Sequence, residues 1–374
     1  PNSNKRFRVV QIGNLDNDQV ADQRKSNNTT TRNATTKDKE PTVEKADPNY
    51  NPYKASNYQV QYEISQLVSQ VDFNYMNYSY QPYTYNSGPI YMNKGFAAFL
   101  KVGVMDMMED KRIIAGVNIS PNLRNNEYFV TYTDLTKRLD KEYTFHRVLY
   151  ETNNIYPNFR QYVHEGFYKL SWPFSNVLSL RTTFNYRNER TVVLSEDRNS
   201  MNAYDTIQHK LGVKLELVYD DTRQLGLNLF SGSRWKIFAE YLQPTIASND
   251  HSLDLLFNHN TFVAGFDYRK YIKIHKNLIW ANRAAGSTSL GSERLIYYMG
   301  GVDNWVLPKF NQGIQVDKDQ NFAYQTLATN MRGFKQNIRN GNNFMAINSE
   351  LRFPIFSFFS KRPIKNSFLN NFLI

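Results

Sequence analysis

Leu211 to Tyr219 reads LGVKLELVY. Leu211, Val213, Leu215, Leu217 and Tyr219 share one parity, and Gly212, Lys214 and Glu216 the other. Successive side chains of an extended chain point to opposite sides, so this alternation predicts a strand whose two faces meet different surroundings. Other stretches repeat the pattern. Leu178, Leu180, Phe184 and Tyr186 oppose Ser179, Arg181, Asn185 and Arg187. Phe262, Ala264, Phe266 and Tyr268 oppose Gly265, Asp267 and Arg269, and Ile113, Ala115, Val117 and Ile119 oppose Gly116, Asn118 and Ser120.

From Tyr58 to Phe353 such segments, separated by Asn, Asp, Gly and Pro clusters, number about twelve. They lie near 58–68, 95–107, 111–121, 127–137, 142–152, 162–172, 176–188, 208–220, 228–242, 260–272, 276–288 and 343–353, and Phe372 to Ile374 resembles the start of another. A soluble sandwich would also alternate. Two features favour an antiparallel transmembrane β-barrel. The polar parity carries Lys, Arg, Glu and Asp, and the apolar parity ends repeatedly in an aromatic ring, as at Tyr186, Tyr219, Tyr268 and Trp280. Such rings form the interfacial girdles of barrels in the outer membrane, and Trp172-Pro173-Phe174 fits a strand end in the same way.

Composition agrees. Aromatic residues make up 15% of the 374 residues, with 26 Tyr and 25 Phe, which favours strands. No run reaches the roughly 18 apolar residues of a spanning helix. With no Cys there is no disulfide scaffold, thiolate metal site or cysteine nucleophile. The net charge of +11 raises nucleic acid as a partner, but the basic residues are scattered rather than clustered, so no nucleic-acid role is expected. The chain opens on Pro1 without a signal peptide, and further sequence is expected at both ends. Residues 1–13, with the strand-like Phe7 to Ile12 (FRVVQI), read as the end of an upstream domain. Residues 14–56, including Lys25 to Lys39 (KSNNTTTRNATTKDK), read as a polar flexible linker, because they bury too little to offset ordering. Residues 57–374 form the incomplete barrel.

No catalytic constellation emerges. The six histidines, His146, His164, His209, His251, His259 and His275, fit no metal or triad spacing, although His146 and His164 are candidates to face a lumen. Gly300-Gly301 lacks a P-loop lysine, and Asp220-Asp221 reads as a turn. Neither catalysis, nor a metal, nor a cofactor is expected.

The informative stretch is the long connection after Thr288. It carries Leu295, Ile296, Tyr297, Tyr298, Phe310, Phe322, Tyr324 and Leu327, far too apolar for an exposed loop, so we expect it to fold back and pack inside the barrel. Gly300, Gly301 and Trp305 are expected to pack that loop, and Arg332-Gly333-Phe334 follows. Gly333 allows a tight backbone, Phe334 can wedge beside it, and Arg332 presents a planar fork suited to a carboxylate. In Phe344 to Phe353 (FMAINSELRF) parity places Glu350 with Ala346, Asn348 and Arg352 on the lumenal side. Arg332 to Glu350 is therefore a candidate loop-to-wall ion pair. The alternative is an exposed Arg332 with Glu350 paired within the sheet.

Tyr297 to Trp305 (YYMGGVDNW), Gln325 to Asn342 (QTLATNMRGFKQNIRNGN) and the strand Asn348-Ser349-Glu350-Leu351-Arg352-Phe353-Pro354 resemble the C-terminal half of the Omp85 superfamily of bacterial surface antigens. More specifically they resemble members preceded by a TolB-like β-propeller. The resemblance covers residues 57–374 and is strongest over 295–355. It implies a 16-stranded barrel in the outer membrane of a Gram-negative bacterium. It also implies a sixth extracellular loop inside the lumen, with Arg332 locked to Glu350 on strand 12 and to a Phe-x-Asp-x-Gly strand beyond Ile374. Insertion of proteins into the outer membrane, or their translocation across it, is the implied activity. Implied partners are membrane lipid, unfolded or secreted protein clients, and periplasmic or lipoprotein accessory subunits. The chain departs from the family in one respect: residues 302–331 separate the Gly pair from Arg332, which leaves the loop's path open. A passive porin or a transporter of small molecules or lipids is the alternative function; a barrel lipase and a soluble nucleic-acid binder are more distant ones.

Overall fold

A computed structural model of the chain describes residues 61–72, 80–83, 88, 97–120, 126–151, 158–195, 197–226, 228–247, 259–275, 278–302 and 309–354. The expected upstream strand at Phe7 to Ile12, the linker 14–56, Trp305 and the strand start at Phe372 lie outside the described residues.

Among the described residues the chain is all-β apart from one helical turn, Arg198–Met201. In order, the strands are β1 (Tyr62–Asp72), β2 (Gln81–Pro82), β3 (Ala97–Asp106), β4 (Lys111–Ile119), β5 (Glu127–Asp134) and β6 (Asp140–Glu151). Then come β7 (Phe159–Pro173), β8 (Leu178–Val193), β9 (Thr206–Asp220), β10 (Arg223–Gly226), β11 (Leu229–Ala247), β12 (Thr261–His275) and β13 (Leu278–Gly291). The last are β14 (Arg294–Met299), β15 (Phe322–Leu327), β16 (Arg339–Gly341) and β17 (Asn343–Arg352). Each of the twelve segments read from the alternation is a strand, within a few residues at either end.

Among the described residues, one antiparallel sheet has 13 strands in the order β1-β3-β4-β5-β6-β7-β8-β9-β11-β12-β13-β17, with β10 paired to β11 beside this path. Sequence neighbours are sheet neighbours almost throughout, a meander that needs only short connections. The connections differ by side. Those at 107–110, 135–139, 174–177 and 276–277 are short, whereas those leaving the opposite ends, at 194–205, 248–260 and 292–342, are long. Within the described residues β1 and β17 stand at the two ends of the order and do not pair with each other.

The two faces of this sheet are unlike. On one, large apolar side chains stand exposed strand after strand: Ile64, Leu100, Val130, Phe145, Leu215, Ile237, Phe266 and, at 72%, Ile347. Tyr132, Tyr143, Tyr168 and Phe184 are successive register partners on it, with ring centroids 6.2, 4.7 and 6.4 Å apart. Tyr219 stacks on Trp235 at 5.6 Å beside the 221–228 connection. The other face carries the polar parity, and there charged groups such as Glu165, Arg187, Glu189 and Lys210 are buried. Ordinary globular sheets bury the apolar side and wet the charged one.

What covers part of the charged face is a second sheet of four strands, in the order β16-β14-β15-β2. It is built from the 292–342 connection and, through β2, from the connection after β1. Residues Leu295 to Tyr298 of β14 are all buried because both faces of that strand are packed. Leu295, Tyr297 and Tyr324 meet Leu242, Val263, Phe238 and Phe344 of the large sheet. Ile296, Tyr298 and Phe322 form a separate core with Tyr83 and Phe310. β14 and β15 run parallel, which requires the crossover that residues 300–321 supply.

Candidate functional site

The contact between the inserted sheet and the charged face is the most elaborate polar region described. Its wall is a ladder across five strands. His146 of β6 is the register partner of Glu165 on β7, Glu165 of Arg187 on β8, and Arg187 of Lys210 on β9. His146 Nε2 lies 2.9 Å from Glu127 of β5 and its Nδ1 lies 3.0 Å from Glu165. Arg187 Nη1 donates to Glu165 at 2.8 Å, and Arg187 Nε to Glu189. Lys210 Nζ stands 3.7 Å from Glu189 and 3.3 Å from Glu293, which in turn meets His259 at 3.0 Å.

A neutral imidazole has a single N–H, so only the doubly protonated ring of His146 donates to both of its carboxylates. With that proton, His146, Arg187 and Lys210 balance Glu127, Glu165 and Glu189, while the partly exposed Glu293 lies between Lys210 and His259. Charge balance of this kind is what allows ions to persist away from water.

The insertion keys onto this ladder through two tyrosines. Tyr324 of β15 donates its hydroxyl to Glu189 at 3.1 Å, and its ring lies 5.0 Å from the Arg187 guanidinium and 4.5 Å from Lys210 Nζ. Arg187 Nη2 also donates to the backbone oxygen of Tyr80 at 2.9 Å, while the Tyr80 hydroxyl donates to Glu240 of β11 at 2.7 Å. Burial and the adjacent Glu189 push the Tyr324 hydroxyl up to about 12, against the pull of Lys210 and Arg187, so it stays a donor. Burial likewise takes Tyr297 up to about 12, and its hydroxyl is hydrogen-bonded to that of Ser287 at 2.7 Å. Farther along, Arg283 of β13 donates to Thr329 at 2.8 Å.

The expected lock is not made. Arg332 is exposed, and Glu350 pairs instead with Arg352 at 2.6 Å, the in-sheet alternative. Among the described residues no ion pair joins Arg332 to Glu350. The parity reading itself holds: Met345, Ile347 and Leu351 stand on the exposed apolar face, opposite Ala346 and Glu350. The reason lies in the loop. Arg332-Gly333 is the tip of a turn that is fastened elsewhere, and Phe334 is 50% exposed rather than wedged. His164 also departs from expectation, since its parity puts it with Arg147 and Asn188 on the opposite face from His146.

The fastening explains the Gly pair. Gly301 donates its backbone N–H to Phe334 O at 3.0 Å and accepts from Met331 N at 2.7 Å, so residues 302–331 are an excursion whose ends close on Gly301. Gly300 and Gly301 have φ of 96° and 80°, and a Cβ on Gly300 would stand 2.1 Å from Lys335 O. Gly333 has φ of 85° with open space around it, so it serves the turn's backbone alone. Buried Asn337 ties the excursion down by donating its side-chain amide to the oxygens of Asn311 at 2.7 Å and Ile314 at 2.9 Å.

No protein-family model and no curated protein matches this chain. The Omp85 resemblance rests on the residues of the chain itself. Among the described residues, no group of three His, Asp or Glu is arranged to hold a metal ion. The arrangement has the chemistry of a latch: short polar contacts from Tyr80, Tyr297, Tyr324 and Thr329 to the charged face of the large sheet, around a shared apolar core.

Proposed function

We propose that the 13-stranded sheet is the larger part of a transmembrane β-barrel of the outer membrane, related to the Omp85 superfamily. In this reading the apolar face meets lipid, the charged face lines a lumen, and the four-stranded sheet sits inside as a plug. The observation that carries the reading is the inversion of the two faces: exposed Ile64, Leu215, Ile237, Phe266 and Ile347 on one, buried Glu165, Arg187, Glu189 and Lys210 on the other. An apolar surface of this extent is unsuited to water, and a barrel in lipid has this polarity. The two-sided distribution of short and long connections agrees with the turns and loops of such barrels.

Its activity in this reading is protein insertion into the outer membrane or translocation across it, with membrane lipid, client chains and accessory subunits as partners. A plug held by hydrogen bonds to a buried, charged wall suits a conduit that opens on demand better than a passive porin. Single-channel recording of the purified full-length protein in planar bilayers tests this. Low resting conductance that rises when Glu189 is replaced by Ala supports a latched conduit. A large steady conductance in the unsubstituted protein favours the porin. Depletion in the native host, followed by the loss of folded outer-membrane clients, tests the choice of activity.

A further inference from the structure

Among the described residues, one row of the charged face sets three arginines against a single carboxylate that bonds any of them, Asp267. Arg234 of β11 is the register partner of Arg269 on β12, and Arg269 of Arg283 on β13. Three guanidinium side chains therefore lie side by side, with Cβ atoms about 4.5–5.5 Å apart, where like charges destabilise a sheet. Asp267 answers two of them, bonding Arg269 Nε at 2.9 Å and Arg283 Nη2 at 2.8 Å. Among the described residues Arg234 has no such partner. It is 7% exposed and its Nε makes no hydrogen bond. Its guanidinium lies 6.0 Å from the Phe230 ring, and its other register neighbour, Asp220, turns Oδ1 to the backbone N and hydroxyl of Thr222 at 3.0 and 2.5 Å.

A buried guanidinium without an anion is costly, and its planar fork of donors is matched by the oxygens of a phosphate or carboxylate. Arg269 and Arg283 keep 25% and 30% of their side chains exposed, so solvent reaches the row. We propose that Arg234, with Arg269 beside it, is an oxyanion-binding subsite that takes a phosphate or carboxylate group. Register, burial and charge place this subsite whether or not the sheet closes into a barrel.

Titration calorimetry of the full chain in detergent micelles, with inorganic phosphate and with acetate at constant ionic strength, tests it. The expected result is saturable binding of at least one anion, weakened about tenfold in Arg234→Gln and unchanged in the exposed control Arg332→Gln. Arg234→Lys, which keeps the charge and loses the fork, should fall between the two. Thermal melting gives a second readout: phosphate should raise the midpoint of the unsubstituted protein more than equal ionic strength of chloride does, and should not do so in Arg234→Gln. Binding of phosphate alone assigns a phosphate group, and binding of acetate alone a carboxylate. Absence of saturable binding by either anion, or equal affinity in Arg234→Gln, overturns the proposal.

Discussion

Arg332 and Tyr324 belong to the same inserted segment; the sequence places Arg332 against the wall of the large sheet, yet it is Tyr324 that reaches it. Arg332, the residue that a motif singles out, sits at the tip of a turn clamped to Gly301 and faces water. Tyr324, which belongs to no motif, is buried and joined to Glu189, Arg187 and Lys210. The difference teaches that a latch forms where apolar packing first excludes water. Leu295, Tyr297 and Tyr324 pack against Leu242 and Val263, and polar groups in that dry region must then find partners.

The comparison breaks most decisively at Glu189. Replacing it by Ala strands Arg187 and Lys210 without their shared carboxylate, at a cost of about 3–5 kcal/mol. Protease cleavage within residues 309–342 should then become rapid in micelles; unchanged resistance would mean that the ladder does not hold the insert. Tyr324→Phe keeps the ring and deletes one hydrogen bond to a charged acceptor, an expected loss of about 1.5–3 kcal/mol of unfolding free energy, read from the shift in denaturant midpoint. Gly300→Ala attacks the turn from beneath, because it forces a side chain into a left-handed backbone facing Lys335 O. The backbone strain alone comes to about 1–3 kcal/mol, and the readout is exposure of the Arg332 turn to proteolysis. Arg332→Ala should change stability by no more than about 0.5 kcal/mol, since an exposed side chain without a salt bridge contributes little. A large loss there would restore the lock between Arg332 and Glu350.

Much of this was legible in the sequence. Alternation located the strands of the large sheet because each has two unlike faces, and the apolar density of the connection after Thr288 announced that it folds. Parity assigned Glu350 to the charged face. What escaped was pairing in space. Glu127, His146, Glu165, Arg187 and Lys210 lie on five successive strands of the sheet, and only the cross-strand register aligns them. Parity carried through the short turn at 174–177 aligns Glu165 with Arg187, whereas the longer connection at 152–158 between β6 and β7 leaves His146 unaligned. No comparable signal marks Tyr80, whose two-residue strand neighbours are too few to alternate, or the closure of residues 302–331 on Gly301, which is made by backbone groups alone. β14 was hidden for the opposite reason: buried on both faces, it shows no alternation.

The inversion of the two faces is best tested by its period along one strand. The chain has no cysteine, so single cysteines at Lys236, Ile237, Phe238 and Ala239 of β11 can each carry a fluorophore in reconstituted vesicles. A lipid-phase quencher should reach positions 237 and 239 and spare 236 and 238. Quenching of 237 and 239 by a water-soluble agent, with the lipid-phase agent silent, would contradict the account.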